Sequence, residues 1–339
     1  MTSPRQSIIN MKTLISLLRA GLLAAVLTAL FPATAAAADC HAYSGNLVFG
    51  TVTLLSGGVK DSSAVINYGC SANPGERVLL CFGMGADSGT GLYAPRRLSS
   101  SGKYMAFNLY TNASRSTVWG STDSAGGAYP PVALAMDFGA GEYYKTGSLT
   151  VYGRINPAGQ TGLPAGYYDT NAIGGWPMAL SYKIIPTSAP IDCATGGLAK
   201  NSATFYIQAI VVSECRIDSS TTMDFGTVFM NLTQNVDSTS TITVTCNGGQ
   251  SGNGYHVRLG DGLYASGQQR RMRGSMGYLN YELYRDPQRT SRWGNTDYLG
   301  VAGTGNGQPQ ALTVYGRVPA QTPPGPDRYS DTVVITLSY

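Results

Sequence analysis

Six cysteines carry the clearest chemistry in this chain of 339 residues, because an even number of thiols can close completely into disulfides. No Cys-x-x-Cys pair occurs, and two histidines, His41 and His256, are too few for a zinc cluster. Motifs of serine hydrolases and of phosphate-binding loops are also absent. The sequence therefore predicts a disulfide framework with no enzyme activity, metal site or cofactor. An enzyme that uses paired carboxylates is the alternative, since acids such as Asp87 and Asp137 occur in predicted loops. The six are Cys40, Cys70, Cys81, Cys193, Cys215 and Cys246.

Charged side chains are sparse, at 12% of the chain with a formal net charge of +4. Typical globular proteins carry about 25%. The 43% of apolar residues is enough for a sizeable core and argues against a disordered chain. The small net charge and scattered lysines predict no nucleic-acid partner.

The N-terminus has the pattern of a secretory signal peptide over residues 1–38, cleaved near Ala38, with Met1 and Met11 both open as the start. Three basic residues and no acid accompany an apolar run that ends in small residues. A membrane anchor is the alternative. Cleavage would leave a mature protein with a net charge of +1 (20 Lys and Arg against 19 Asp and Glu), secreted through the periplasm, where disulfides form.

The chain repeats once, with the order of its motifs preserved. Phe-Gly-Thr-Val at 49–52 recurs at 225–228, and Leu-Thr-Val-Tyr-Gly-Arg at 149–154 recurs at 312–317. These copies predict an N-terminal domain over residues 39–185, a linker rich in small residues and proline over 186–202, and a C-terminal domain over 203–339.

Each copy has the pattern of a β domain, because short β-branched runs alternate with Gly and Pro clusters. We expect an all-β protein of two tandem sandwiches. The cysteines that match between the copies predict the pairs Cys40–Cys70 and Cys215–Cys246. Cys81 and Cys193 are left over and would pin the linker to the N-terminal domain, although sequence alone leaves this connectivity open.

The C-terminal domain (domain 2) resembles the spore coat protein U domain in its motifs at 259–262, 279–284, 293–294, 314–317 and 329–333. The N-terminal domain (domain 1) departs from this pattern where Cys81 and Gly-Met-Gly at 83–85 replace Leu-Gly-x-Gly. Two tandem copies resemble the tip adhesin of archaic (Csu-type) chaperone–usher pili. The resemblance implies an immunoglobulin-like pilin fold whose second sandwich is incomplete and needs donor-strand complementation. It also implies a periplasmic pilus chaperone, an outer-membrane usher and an adjacent pilin subunit as partners.

The predicted mature chain has only Asp39 before its first cysteine, so it could receive a donor strand but not supply one, which favours the pilus tip at the cell surface. Residues 203–213 alternate apolar and other side chains, so Phe205, Ile207, Ala209 and Val211 share one face. This strand either begins domain 2 or completes domain 1 in cis, and the sequence leaves both open.

Domain 1 carries uncharged apolar insertions that domain 2 lacks, and we expect them to form an exposed binding surface. This surface would attach the pilus to abiotic or host surfaces and support biofilm formation. A glycan-binding adhesin, a minor structural pilin or coat protein, and residues folded back into the core are the alternatives. A further candidate loop, outside the insertions, covers residues 53–59. The candidates are Leu54, Leu55, Tyr129, Pro130, Pro131, Val132, Ala133, Leu134, Ile173, Trp176, Pro177 and Met178.

Overall fold

The computed structural model describes residues 37–121, 128–171, 174–194, 198–228, 232–249 and 254–339. Nearly all of the predicted signal segment lies outside these residues. Within them, no helix has the length and apolar character needed to cross a membrane.

The N-terminal domain is a sandwich of two β-sheets, as expected. Its larger sheet has the order β1-β3-β8-β6-β5-β9-β12-β2, and the smaller one β11-β10-β4-β7. The strands are β1 (Asp39–Ser44), β2 (Leu47–Val52), β3 (Lys60–Ser71), β4 (Arg77–Met84), β5 (Arg96–Ser100), β6 (Lys103–Tyr110), β7 (Val132–Asp137), β8 (Tyr144–Ile155), β9 (Gly166–Asp169), β10 (Trp176–Ile185), β11 (Ala199–Phe205) and β12 (Ile207–Val211).

The C-terminal domain has smaller sheets, in the orders β13-β14-β20-β18 and β19-β15-β21, with a separate β16-β17 hairpin. A short 3-10 helix, Asp297–Leu299, precedes β19. The strands are β13 (Cys215–Ser220), β14 (Val236–Cys246), β15 (Gly254–Leu259), β16 (Arg271–Arg273), β17 (Tyr278–Asn280), β18 (Glu282–Tyr284), β19 (Val301–Thr304), β20 (Pro309–Val318) and β21 (Ile335–Ser338).

All three disulfides are present as predicted. Cys40–Cys70 and Cys215–Cys246 each join the first strand of a domain to its neighbour. Cys81–Cys193 ties the segment after β10 to β4, where it packs with Leu79 and Ile185 in a small core of its own. The predicted linker is therefore fastened to the N-terminal domain.

The structure decides where the strand around residue 203 lies. Both β11 and β12 belong to the N-terminal sandwich: β11 pairs with β10, and β12 lies between β2 and β9. Phe205, Ile207, Ala209 and Val211 are all buried in the N-terminal core. Of the two open alternatives, the strand therefore completes domain 1 in cis.

The repeated motifs pack against each other in both domains. A Cβ on Gly153 would lie 2.8 Å from Cζ of Phe49, so the Tyr-Gly-Arg motif needs glycine where the Phe-Gly-Thr motif crosses it. Nε of Arg154 donates to the Asp61 carboxylate at 2.7 Å, and this hydrogen bond lowers the pKa of that carboxyl. Arg317 and Asp237 repeat the arrangement. The motifs therefore build the scaffold, not a site.

Candidate functional site

The connection between the domains shows which end of the N-terminal domain is free. β2 and β12 run parallel and end together at Val52 and Val211, beside the connecting residues 212–214. The Glu214 carboxylate accepts a hydrogen bond from the backbone N–H of Leu55 at 2.9 Å. The loop with Leu54 and Leu55 therefore lies at the domain junction.

The expected exposure of Leu54 is wrong, since its side chain is buried in the core next to this junction. Leu55 is half-buried. This loop was a candidate because of its apolar composition, and composition does not tell which end of a strand faces the second domain.

The described parts of the two apolar insertions, around residues 126–136 and 171–178, lie at the opposite, distal end. Trp176 at the start of β10 pairs with Phe205, the last residue of β11 and two residues before β12 begins at Ile207. The start of β7 at Val132 pairs with Phe82 near the end of β4. Strands β4, β7, β10 and β12 therefore bring residues 85–95, 129–131 and 174–177 to the end that faces away from the C-terminal domain.

Trp176 and Met178 belong to the core and are each 1% exposed, so their expected exposure is wrong. Nε1 of Trp176 donates to the Gly85 carbonyl at 3.3 Å, and its ring packs edge-on against Phe107 with centroids 5.4 Å apart. Trp176 and Met178 point into the core and Pro177 between them points outward, because residues 176–178 begin a strand.

Val132, Ala133 and Leu134 are half-buried in strand β7 and not in a loop, because β7 pairs with β4 and forms one edge of the smaller sheet. Val132 and Leu134 pack against the main core, and Ala133 packs beside the Cys81–Cys193 bridge. Ile173 lies outside the described residues.

An uncharged apolar surface remains at the distal end, which we call the distal patch. Pro130 and Pro177 are exposed, Tyr129 and Pro131 are partly exposed, and the rings of Tyr129 and Tyr93 lie 5.8 Å apart. Sequence comparison missed Leu92 and Tyr93 because domain 2 has matching residues at 263–264. The patch consists of Leu92, Tyr93, Tyr129, Pro130, Pro131 and Pro177.

Arg96 is fully buried beneath the distal patch and joins its segments. Nε donates to the Gly85 carbonyl at 3.0 Å, and Nη2 donates to the Trp119 carbonyl. The guanidinium carbon lies 5.6 Å from the Tyr93 ring and 5.8 Å from the Trp176 ring. Burial lowers the pKa of Arg96 to about 10. Sequence analysis missed this residue, although Arg-Arg at 96–97 recurs at 270–271.

Changing Asn108 to glutamate should stabilise the N-terminal domain. Nη1 of Arg96 and Oδ1 of Asn108 are buried without hydrogen-bond partners, whereas the matching Glu282 of domain 2 pairs with Arg270 and Arg292. A charged hydrogen bond to Arg96 should add about 1–2 kcal/mol to the free energy of unfolding, measured by denaturant titration. Glu282→Asn is the control and should lower stability by about 3 kcal/mol or more. No gain in a correctly folded Asn108→Glu variant would contradict this expectation.

The C-terminal domain has a gap where β12 lies in the N-terminal domain. Residues 223–228 match β2 but pair with no strand in the described part of the domain. Val52 beside β12 is 1% exposed, whereas the matching Val228 is 45% exposed. On the other side of the gap, Ser330 exchanges backbone hydrogen bonds only with Arg273 among the described residues. We call this gap the open groove.

The edge of the second sheet is also uncovered. In the N-terminal domain, β10 is flanked by β4 and β11, whereas the matching β21 pairs only with β15 among the described strands. A cavity of about 110 Å³ lies beside Cys215–Cys246, lined by Asn247, Tyr255, Gly305 and Tyr339. Both uncovered places are therefore those that β11 and β12 fill in the other domain.

Comparison with known proteins identifies the family. The Spore Coat Protein U domain model matches residues 26–173 and 201–336, and the chain belongs to this family as a tandem of two domains. The chain is 35% identical over 167 residues to Protein U of Myxococcus xanthus. The aligned region covers 44% of this chain and 89% of that protein.

Solved structures with similar folds are less similar in sequence. One is the CsuC–CsuE chaperone–tip adhesion subunit pre-assembly complex from archaic chaperone–usher Csu pili of Acinetobacter baumannii, at 16% identity and a TM-score of 0.43, covering 89% of this chain and 100% of that one. Another is the CupB6 tip adhesin from Pseudomonas aeruginosa, at 10% identity and a TM-score of 0.33, covering 89% and 95%.

Proposed function

We propose that this protein is the tip adhesin of an archaic chaperone–usher pilus, exported through the periplasm to the cell surface. The observation that carries the proposal is the asymmetry of the two domains. The N-terminal sandwich contains its own completing strand, β12, whereas the C-terminal sandwich has an open groove at the matching place. A subunit built in this way accepts one strand from a neighbour.

The open groove is suited to a strand from the adjacent pilin subunit. An unpaired edge next to exposed apolar side chains such as Val228 is an aggregation hazard in an isolated protein. A periplasmic chaperone would cover it before assembly, and strand addition at the outer-membrane usher would replace the chaperone. The structure of β12 shows that this fold accepts a parallel neighbour on one side and an antiparallel one on the other.

The distal patch is suited to weak contact with hydrophobic surfaces, both abiotic and host-derived. Burial of roughly 150 Å² of apolar surface contributes about 4 kcal/mol at ~25 cal/mol per Å². Contact by one tip is therefore weak, and many pili on one cell multiply it into stable attachment and biofilm formation.

Polar substitutions in the distal patch should reduce attachment without affecting assembly. We expect Leu92→Ser combined with Tyr129→Ser and Pro177→Ser to lower binding of piliated cells to hydrophobic plastic at least tenfold. The control combines Leu263→Ser and Tyr143→Ser, which remove apolar side chains more exposed than Leu92 from other surfaces.

Pilus number by electron microscopy separates adhesion from assembly in this experiment. Unchanged attachment of normally piliated cells would place the adhesive surface elsewhere. Binding to a glycan array together with indifference to plastic would replace surface contact by sugar recognition.

A further inference from the structure

The internal strand β12 provides a register for whatever strand enters the open groove. Ile207, Ala209 and Val211 point into the core, whereas Gln208 and Ile210 point outward. Ile210 lies opposite Tyr167 of β9, and Gln208 lies opposite Val48 of β2. The neighbours of each outward position are thereby defined.

A shared tyrosine fixes the equivalent positions in the C-terminal domain. Oη of Tyr168 donates to the carbonyl four residues earlier at 3.0 Å, and Oη of Tyr329 does the same at 2.8 Å. Arg328 therefore takes the place of Tyr167. Across the groove, Asp224 takes the place of Val48, one residue before the phenylalanine of the Phe-Gly-Thr motif.

These two replacements place opposite charges along the outer rim of the groove. Arg328 and Asp224 are both exposed, and neither forms a salt bridge with a described residue. Arg273 pairs with Ser330, the match of Asp169, and so lies one strand beyond the groove on the row of Gln208, with its guanidinium 5.6 Å from the Tyr264 ring. The rim is positive at the position that corresponds to Ile210 and negative at the one that corresponds to Gln208.

We propose that the donated strand carries an acidic side chain where β12 has Ile210, and a neutral or basic one where β12 has Gln208. This inference rests on the proposed function and specifies the chemistry of the partner. Opposite charges on neighbouring strands stabilise their pairing, and like charges destabilise it.

The charges also select the register of the incoming strand. A slip by one residue turns the apolar face outward, but a slip by two residues keeps it inward and is not rejected by the core. The two-residue slip moves the acidic side chain from Arg328 toward Asp224, where like charges repel. The rim therefore disfavours this slip, which the apolar groove alone would accept.

Labelled peptides of residues 199–212 test the inference on the mature full-length chain by fluorescence anisotropy. At low ionic strength, the peptide with Ile210→Glu should bind about two- to fivefold more tightly than the one with Ile210→Lys. The order should reverse at position 208, where Gln208→Lys should bind more tightly than Gln208→Glu. High salt should remove both preferences.

Arg328→Tyr introduces the matching residue of domain 1 and should abolish the preference at position 210 while peptides still bind. Equal binding of the Glu and Lys peptides to the unchanged protein would overturn the inference and leave the open groove intact. Binding of none of the peptides would overturn the groove as well. Melting temperatures of the same segments fused after Tyr339 give a second measurement on a single chain.

Discussion

Ile207→Asp should unfold the N-terminal domain, whereas Ile210→Asp on the same strand should leave it folded. Ile207 is 0% exposed between the two sheets, and Ile210 is 43% exposed on the outer face of β12. A carboxylate at position 207 loses the packing of the isoleucine and buries a charge without a partner, which should cost about 4 kcal/mol or more. At position 210 the expected cost is about 1 kcal/mol or less.

Denaturant unfolding of both variants, followed by circular dichroism, measures this difference. The unchanged C-terminal domain serves as an internal reference in each protein. Equal stabilities of the two variants would mean that β12 does not complete the N-terminal sandwich. The difference is central to function, because a domain completed by its own strand does not compete with the C-terminal domain for donors.

The repeat made the architecture and the disulfides predictable. Motifs that recur in the same order must build the same fold, and matched cysteines such as Cys40 and Cys215 then form matched bridges. The Cys81–Cys193 pair followed only by exclusion. The position of residues 203–211 was not predictable, because a period-2 pattern shows which side chains share a face but not which sandwich buries them.

The distal patch was predictable in location but not in its residues. Length differences between the domains identify insertions, but they do not give the direction of each side chain. Trp176 and Met178 are buried and Pro177 between them is exposed, since a strand begins where a loop was expected. Arg96 was missed because arginine is seldom fully buried and composition assigns it to the surface.

The melting of the C-terminal domain, with and without a supplied strand, tests the proposed subunit architecture most directly. A second copy of residues 199–212 is joined after Tyr339 by a Gly/Ser linker as long as residues 183–198. This design copies the N-terminal domain, where Tyr182, the match of Tyr339, pairs with Ala199. The control fusion carries Asp at the positions of Ile207 and Val211 and keeps the same length.

We expect the fused strand to raise the melting temperature of the C-terminal domain by about 10 °C or more. A linker of this kind gives the fused strand an effective concentration in the millimolar range. A strand present at about 1,000 times its dissociation constant stabilises the domain by about 4 kcal/mol. The control fusion should give no increase. A C-terminal domain that melts at the same temperature with the native strand, the control strand or no added strand would contradict an open groove.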